Sequence, residues 1–451
     1  MDSTIAPVTM RTLVVGLGVT GLSVAHYLRR RNEPFTVWDA APKEQALAKL
    51  REDCPEAAVV SGDPDLREFE TADTVIVSPG VSLDHPALRA ARAGGAQVYG
   101  DIELFAHEVN APVLGITGSN GKSTTTLMAA HLLEGVGLKA ASGGNLGTPA
   151  LSLLRDPAPD AYVLELSSFQ LEATETLHCR AASLLNLSPD HIDRHGSFEA
   201  YREIKHRLYR HAEVAVFNRD DSNTRPGITA GRAISFGLDA PLHDDDFGLR
   251  EHDGQPWLCQ GRQRLLPCAE LPLAGRHNWG NALAALALAE AFGVAPEQAA
   301  PILRSFEGLP HRLQKIAEFG GVAWVNDSKS TNLSAMQAAL TAFERPCVLI
   351  AGGRAKQEDL RRANLALSRH ARTLVLFGES AQAMAQAWAG CAPVVQVPDL
   401  AQAVEQAAEL AEAGDCVLLS PGCASYDQYS DFEERGEDFA ERVHALEESV
   451  A

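Results

Sequence analysis

None of the eight cysteines (Cys54, Cys179, Cys259, Cys268, Cys347, Cys391, Cys416 and Cys423) stands in a CxxC pair or at a metal-ligand spacing. That argues against a disulfide scaffold and against a structural zinc site. No apolar run reaches the roughly 18 residues needed to span a bilayer. The first twenty residues lack a basic segment leading into an apolar stretch, so no secretory leader is expected. Basic charge is also scarce: 39 Lys and Arg face 59 Asp and Glu over 451 residues, a net charge of −20. Such a balance gives no long-range attraction to nucleic acid or to an anionic membrane. A polyanionic ligand must then be held by local devices, namely backbone amides, a few basic side chains or bound metal. The expectation is a soluble, cytoplasmic protein of a reducing compartment, with neither nucleic acid nor membrane as partner.

At 45% apolar and 22% charged residues, ordinary globular cores are available, and the length suggests about three domains. Short β-branched runs ending in glycine alternate with Ala/Leu/Glu-rich stretches of helical period, the pattern of βα units around a mainly parallel sheet. The first set of strands reads 12–16, 35–39, 74–77 and 97–99. The second reads 113–116, 162–166, 182–187, 214–218 and 233–236, and the third 348–351, 373–377 and 416–419, with 322–325 as a further strand. The polar stretch 242–264 reads as loops and short antiparallel strands. Seams fall near Asp101 and near Gly308-Leu309-Pro310. The predicted fold class is α/β with three domains: a Rossmann-like domain over 1–101, a P-loop ATPase-like α/β domain over 102–307 and a second Rossmann-like domain over 308–451.

Gly16-Leu17-Gly18-Val19-Thr20-Gly21 follows a strand and opens a helix, and Asp39 ends the next strand. Glycines let a backbone approach phosphate at a helix N-terminus, and the carboxylate can bond a ribose or base. A tight strand–helix turn without a ligand fits the same residues. Gly115-Ile116-Thr117-Gly118-Ser119-Asn120-Gly121-Lys122-Ser123-Thr124 is the more specific signal. Its amides can cradle a polyphosphate, Lys122 can reach the terminal phosphates, and the Ser123 hydroxyl can bind Mg²⁺. This predicts an ATP site, although Ile116 stands where strict P-loop spacing has glycine. Glu165 ends a buried-looking strand, where a carboxylate is costly unless it binds something. Asp190, His191 and Arg194 end the next strand's loop, where open α/β sheets bind ligands. Asn278 and Asn281 share one helix face suited to a base, with a helix cap as the plainer reading of Asn278. Arg312, Asp327, Lys329 and Thr331 cluster beside a strand. There a guanidinium and an ammonium could stabilise a γ-phosphate in transfer, or form surface salt bridges. A nicotinamide-dependent dehydrogenase would use Gly16–Gly21 and Asp39 but leave Lys122, Glu165 and Asp327 unexplained. A non-catalytic ATP-binding protein would bind nucleotide without substrate-stimulated ADP release.

On these residues the chain resembles the Mur ligases. The likeness runs through Gly16–Gly21, Ser78–Gly80, Gly100–Phe105, Thr117–Thr124, Gly143–Gly147, Glu165–Glu172, Asp190–Arg194, His277–Asn281, His311-Arg312, Asn326–Asn332 and Leu419–Gly436. The segments Glu165–Glu172 and Cys423–Gln428 select the branch that adds D-glutamate to UDP-N-acetylmuramoyl-L-alanine in peptidoglycan precursor synthesis. The resemblance implies that Val19, Thr20, Asp39 and Gly80 contact the uridine diphosphate, with Asn145 and His191 nearer the muramoyl-alanyl end. It assigns ATP to Gly118, Ser119, Asn120, Gly121, Lys122, Ser123, Thr124, Asn278, Asn281, Arg312 and Asp327. It assigns two Mg²⁺ ions to Ser123, Glu165, His191 and Lys205, the last carbamylated by CO₂ into a carboxylate-like ligand. Lys122, His191, Lys205 and Lys329 are the implied catalytic set, and Thr331, Lys356, Ser425 and Phe432 would hold the glutamate. Without the resemblance, Lys205 reads as an exposed helical lysine. Three departures stand out: Ala40-Ala41 near the uracil, Arg354 after the glycine pair that precedes Lys356, and the choices of Gly422 and Tyr426.

Overall fold

The structure, a computed structural model, describes residues 11–227, 231–273, 275–343, 345–355 and 359–450. The first sheet comprises β1 (Thr12–Val15), β2 (Phe35–Asp39), β3 (Ala58–Ser61), β4 (Thr74–Val77) and β5 (Gln97–Gly100), all parallel in the order β3-β2-β1-β4-β5. The sequence reading lacked β3, whose ends are exposed and whose run is only four residues. The order reverses at β1, so the Gly16–Gly21 turn lies at the switch point where such sheets open a crevice.

The second sheet has nine strands: β6 (Val113–Thr117), β7 (Ala140–Gly144), β8 (Ala161–Glu165), β9 (Cys179–Leu184), β10 (Ala212–Asn218), β11 (Arg232–Phe236), β12 (Phe247–His252), β13 (Gln255–Gln260) and β14 (Gln263–Pro267). Their order is β14-β13-β12-β11-β10-β9-β6-β8-β7. The pairs from β7 to β12 are parallel, and the β12–β13–β14 ribbon is antiparallel, as the polar stretch 242–264 suggested. β6 and β8 are buried along their whole length. Covering helices on both faces make such strands read as apolar runs rather than alternations. β7 (AASGG) carries neither β-branched nor aromatic residues and gave no strand signal. β9 ends at Leu184, three residues before the expected end: Leu185 N–H makes a last bond to the Thr117 carbonyl at the end of β6, and Asn186 bonds the loop after it.

The third sheet orders β15 (Gln314–Phe319), β16 (Val322–Asn326), β20 (Cys416–Leu419), β17 (Cys347–Gly352), β18 (Ala371–Phe377) and β19 (Val394–Gln396) side by side. Only β15 is antiparallel to its neighbour. The first two sheets belong to one compact unit, through Cys268 with Gly280–Leu303. The second unit holds Ala269–Trp279 and Arg304 onward. The three α/β sheets are the expected three-domain architecture. Among the described residues, no helix is long and apolar enough to cross a membrane.

Candidate active site

At the first switch point, Asp39 Oδ2 accepts the Leu17 N–H at 2.6 Å and Oδ1 accepts the Ala41 N–H at 2.9 Å. The carboxylate therefore fixes the glycine turn from the end of β2. Val19 is exposed, Thr20 partly so, and Gly80 lies in the exposed loop after β4. Ser78 Oγ donates to the Gly16 carbonyl at 3.0 Å, so the turn and that loop are joined.

The central site grows from β6, which is flanked by β8 on one side and β9 on the other. The loop after it opens the helix Lys122–Gly135, capped by Gly121 in a left-handed conformation (φ +80°). A Cβ at Gly121 would lie 2.4 Å from Asn281 Oδ1, so only glycine admits that amide here. Thr125 Oγ1 also meets Asn281 Oδ1, at 3.4 Å, which joins the loop's helix to the helix Arg276–Phe292. Ser119 and Asn120 are pinned from Asn186: Ser119 N–H donates to its carbonyl at 2.9 Å and Asn120 N–H to its Oδ1 at 2.8 Å. Lys122 Nζ folds back over the loop, donating to the carbonyls of Gly118 (3.0 Å) and Ser119 (2.9 Å).

Glu165, 3% exposed at the end of β8, accepts Ser123 Oγ at 2.5 Å on one oxygen and Asn145 Nδ2 at 2.6 Å on the other. Two residues far apart in sequence, Ser123 and Asn145, thus converge on one carboxylate. Lys205 is 2% exposed rather than solvated. Its Nζ donates to Thr117 Oγ1 and to the Gly118 carbonyl, both at 3.0 Å, and lies 5.1 Å from the Tyr201 ring centroid. Burial, and next the Lys122 charge, push its pKa well below the usual lysine value. His191 adopts a left-handed backbone (φ +52°) ahead of the short helix Ile192–His195, and its ring packs on Phe169 at 4.7 Å. Asp190 accepts the His191 backbone N–H at 3.0 Å, with the imidazole 3.5 Å from its other oxygen. Among the described residues, no three His, Cys, Asp or Glu side chains converge into a metal cluster. The expected metal set contains only two residues of those types.

In the second unit, Asp327 follows β16 and is buried; its Oδ2 accepts Ser330 Oγ (2.5 Å) and Ser420 Oγ (2.8 Å), and Oδ1 accepts the Leu313 N–H (3.2 Å). Burial pushes its pKa up to about 6. Lys329 Nζ lies 3.5 Å above the Phe432 ring, a cation–π contact that unites two of the predicted residues. Ser425 is buried, and Thr331 is half-buried beside Asn332, whose side chain caps the helix Leu333–Leu340. Asn278 lies in the first turn of the helix Arg276–Phe292 rather than at its cap, and is 5% exposed. Arg312 contributes an electrostatic attraction to Asp327. Lys356 lies outside the described residues.

Sequence reasoning gave no role to Arg435, which is fully buried. It donates to the Ser328 hydroxyl (2.9 Å) and carbonyl (2.8 Å) and to the Cys423 carbonyl (3.2 Å). One guanidinium therefore binds the Asn326–Asn332 loop to the loop carrying Ser425. Desolvation lowers its pKa to about 10. Next to it, a Cβ on Gly436 would strike the His311 ring at 2.1 Å, so this helical glycine is what lets His311 dock.

Three family models match in succession: a Mur ligase MurD-like N-terminal domain over residues 10–100, a Mur ligase middle domain over 116–289, and a Mur ligase glutamate ligase domain over 311–423. The chain is 46% identical over 444 residues to the UDP-N-acetylmuramoylalanine–D-glutamate ligase of Nitrosococcus oceani, covering 97% of each chain. The proteins of the same name from Legionella pneumophila and Pseudomonas aeruginosa are 44% and 45% identical, over 96% of this chain and 99% and 98% of theirs. Among solved structures, the UDP-N-acetylmuramate–alanine ligase MurC of Thermotoga maritima superposes with a TM-score of 0.62 at 18% identity, over 97% of this chain and all of that one. A pseudomurein peptide ligase type C from Methanothermus fervidus gives a TM-score of 0.60 at 18% identity, over 96% of this chain and all of that one. At those identities the structures speak for the fold alone.

Proposed function

Because the chain belongs to the Mur ligase family, we propose that it joins D-glutamate to UDP-N-acetylmuramoyl-L-alanine in peptidoglycan precursor synthesis, converting ATP to ADP and phosphate. The observation that carries the chemistry is the buried Ser123–Glu165 pair at 2.5 Å, beside the loop that Lys122 closes. An oxygen of the alanyl carboxylate attacks the γ-phosphorus and the bond to ADP breaks. The glutamate amine then attacks the acyl carbon of the resulting acyl phosphate, phosphate leaves, the amide forms and the amine's proton is released. Little covalent work falls to the protein in such a reaction, so catalysis is positioning and charge stabilisation.

The loop Gly118–Thr124 and Asn281 serve the nucleotide in this reading, with Asn278, Arg312 and Asp327. Val19, Thr20, Asp39 and Gly80 serve the uridine diphosphate, and Asn145 and His191 the muramoyl-alanyl end. Thr331, Lys356, Ser425 and Phe432 serve the glutamate, with Lys329 a charge stabiliser. Domain boundaries near 101 and 307 and a monomeric state belong to the same proposal.

The donor set suits Mg²⁺, a hard cation that takes oxygen ligands. Glu165 and Ser123 offer a carboxylate and a hydroxyl already in contact, and His191 stands on the neighbouring loop. Lys205 fits carbamylation: burial favours its neutral amine, the form that adds CO₂ and releases a proton. Two bound Mg²⁺ ions would supply Lewis-acid neutralisation of phosphate charge. Ser123, Glu165, His191 and the carbamate of Lys205 would hold them.

The test is phosphate release with ATP, Mg²⁺ and UDP-N-acetylmuramoyl-L-alanine, offering D-glutamate, L-glutamate, lysine and diaminopimelate separately. Ligated product with D-glutamate alone is expected. Activity with a different amino acid would overturn the glutamate assignments, and ATP binding without turnover would overturn the ligase reading.

A further inference from the structure

Arg194 has no part in the scheme above, yet its side chain is only 15% exposed and is held on three sides. Its Nη2 donates to the Val81 carbonyl at 2.9 Å, in the loop after β4 that carries Gly80. Nη2 and Nε both donate to Glu172 Oε2, at 2.9 and 3.3 Å. The guanidinium carbon lies 5.3 Å from the centroid of Phe169, and Phe169 in turn packs on the His191 ring at 4.7 Å. Phe169 and Glu172 both belong to the short helix Ser168–Glu172, whose start is fixed by the Ser167/Gln170 capping box. Arg207 Nη1 donates to the backbone carbonyl of Glu172 at 2.7 Å, so the main chain of the residue whose carboxylate anchors Arg194 is also held.

One side chain thus joins the loop at the edge of the first sheet to the aromatic contact behind His191. We infer that Arg194 is a positioning residue for the ligation: it sets Phe169 against His191 and fixes that pair relative to the Gly80 loop. The uridine diphosphate end of the substrate and its reacting carboxylate are then held in register by a single cation. The inference rests on the proposed ligase reading. Arginine is required because a planar guanidinium can fork two donors and stack on a ring at once, whereas a lysine ammonium meets only part of that set. A displacement of about 1 Å at a reacting centre is enough for a loss on the order of 100-fold.

The test compares wild type with Arg194→Met, Arg194→Lys, Phe169→Leu and the double variant Arg194→Met/Phe169→Leu. It varies ATP, UDP-N-acetylmuramoyl-L-alanine and D-glutamate in turn. Arg194→Met is expected to lower kcat/KM for the UDP substrate by about 10- to 100-fold, through kcat as well as KM. KM for D-glutamate and the Kd for ATP should stay within about twofold, a split that general loss of folded protein would not produce. Arg194→Lys should recover only part of the loss, and the double variant should be within about threefold of the worse single variant. Fully additive single losses, a uniform effect on all three substrates, or wild-type kinetics in Arg194→Lys would overturn the inference while leaving the ligase reading intact. A wild-type protein that makes no product would overturn the reading itself. If Arg194→Met fails to fold, Arg194→Lys and Phe169→Leu still decide the matter through the same substrate split.

Discussion

Asp101 offers a quantitative check on how the first domain meets the central one. It opens the helix Asp101–Glu108, directly after β5, and is 2% exposed. The Gln170 side chain and the first backbone amides of its own helix donate to it, while Oδ1 is buried with no hydrogen-bond partner. Burial outweighs those donors and pushes the carboxyl up to about 6 from an ordinary 3.8. At 1.36 kcal/mol per pH unit, that difference is about 3 kcal/mol. The sign follows from proton linkage: between pH 3.8 and about 6 the folded state binds more proton than the unfolded one. Stability therefore falls as pH rises through that window, and the full cost is present above it. Asp101→Asn cannot ionise. Its buried NH₂ takes the unpartnered position and costs about 1–3 kcal/mol at every pH, so the absolute change at pH 7 is small but the pH slope is removed. The stability difference between variant and wild type should move by about 2.5 kcal/mol in the variant's favour from pH 4 to pH 7.5. At roughly 2–4 °C per kcal/mol, thermal unfolding should show a relative shift of about 5–10 °C. A difference that stays flat within about 2 °C across that range would refute the argument.

Gly121→Ala should weaken ATP binding by more than about tenfold in a fluorescent-nucleotide titration, because the new Cβ meets Asn281 Oδ1 at 2.4 Å on a backbone with φ +80°. Lys205→Met should abolish ligation in the phosphate-release assay yet leave the protein folded. Both acceptors of the ammonium keep a partner: Thr117 Oγ1 donates to the Leu166 carbonyl at 2.7 Å, and the Gly118 carbonyl still accepts Lys122. Replacing the buried cation by an apolar side chain should change stability by less than about 1 kcal/mol or raise it, and a larger loss by thermal unfolding would count against the described geometry. Of the eight free thiols, seven are buried and Cys391 is partly exposed, so a thiol reagent added to native protein should show one fast reaction, removed by Cys391→Ser.

Much of the site was legible where local pattern is broken. Glu165 ends the buried strand AYVLE, and a carboxylate there asks for a partner, which Ser123 and Asn145 supply. The glycine turns could be read for the same reason, since no helix or strand preference accounts for them. The strands that escaped notice had weak patterns: AASGG in β7 lacks large side chains, β15 (QKIAEF) mixes charge into an antiparallel edge, and β19 is three residues long. The three-residue error at the end of β9 arose because Leu185 and Leu187 prolong an apolar run whose backbone has left the sheet.

Lys205 and Arg435 belong to a different class. Each is a basic residue on a helix with acidic or polar neighbours, where periodicity predicts solvent. What buries them is remote in sequence: the end of β6 for Lys205, 88 residues from its Thr117 partner, and Ser328 for Arg435, 107 residues away. A helix pattern records the face presented to the core and carries no information on which loop lies over the other face. Desolvating a cation without a carboxylate in contact is unfavourable, so such residues persist where their charge or nucleophilicity is used. On that ground the buried ammonium beside the Gly118 loop and the buried guanidinium between the Ser328 and Cys423 carbonyls are stronger pointers to function than the exposed Val19 or the partly exposed Thr20. They are also the residues that sequence pattern alone would discard first.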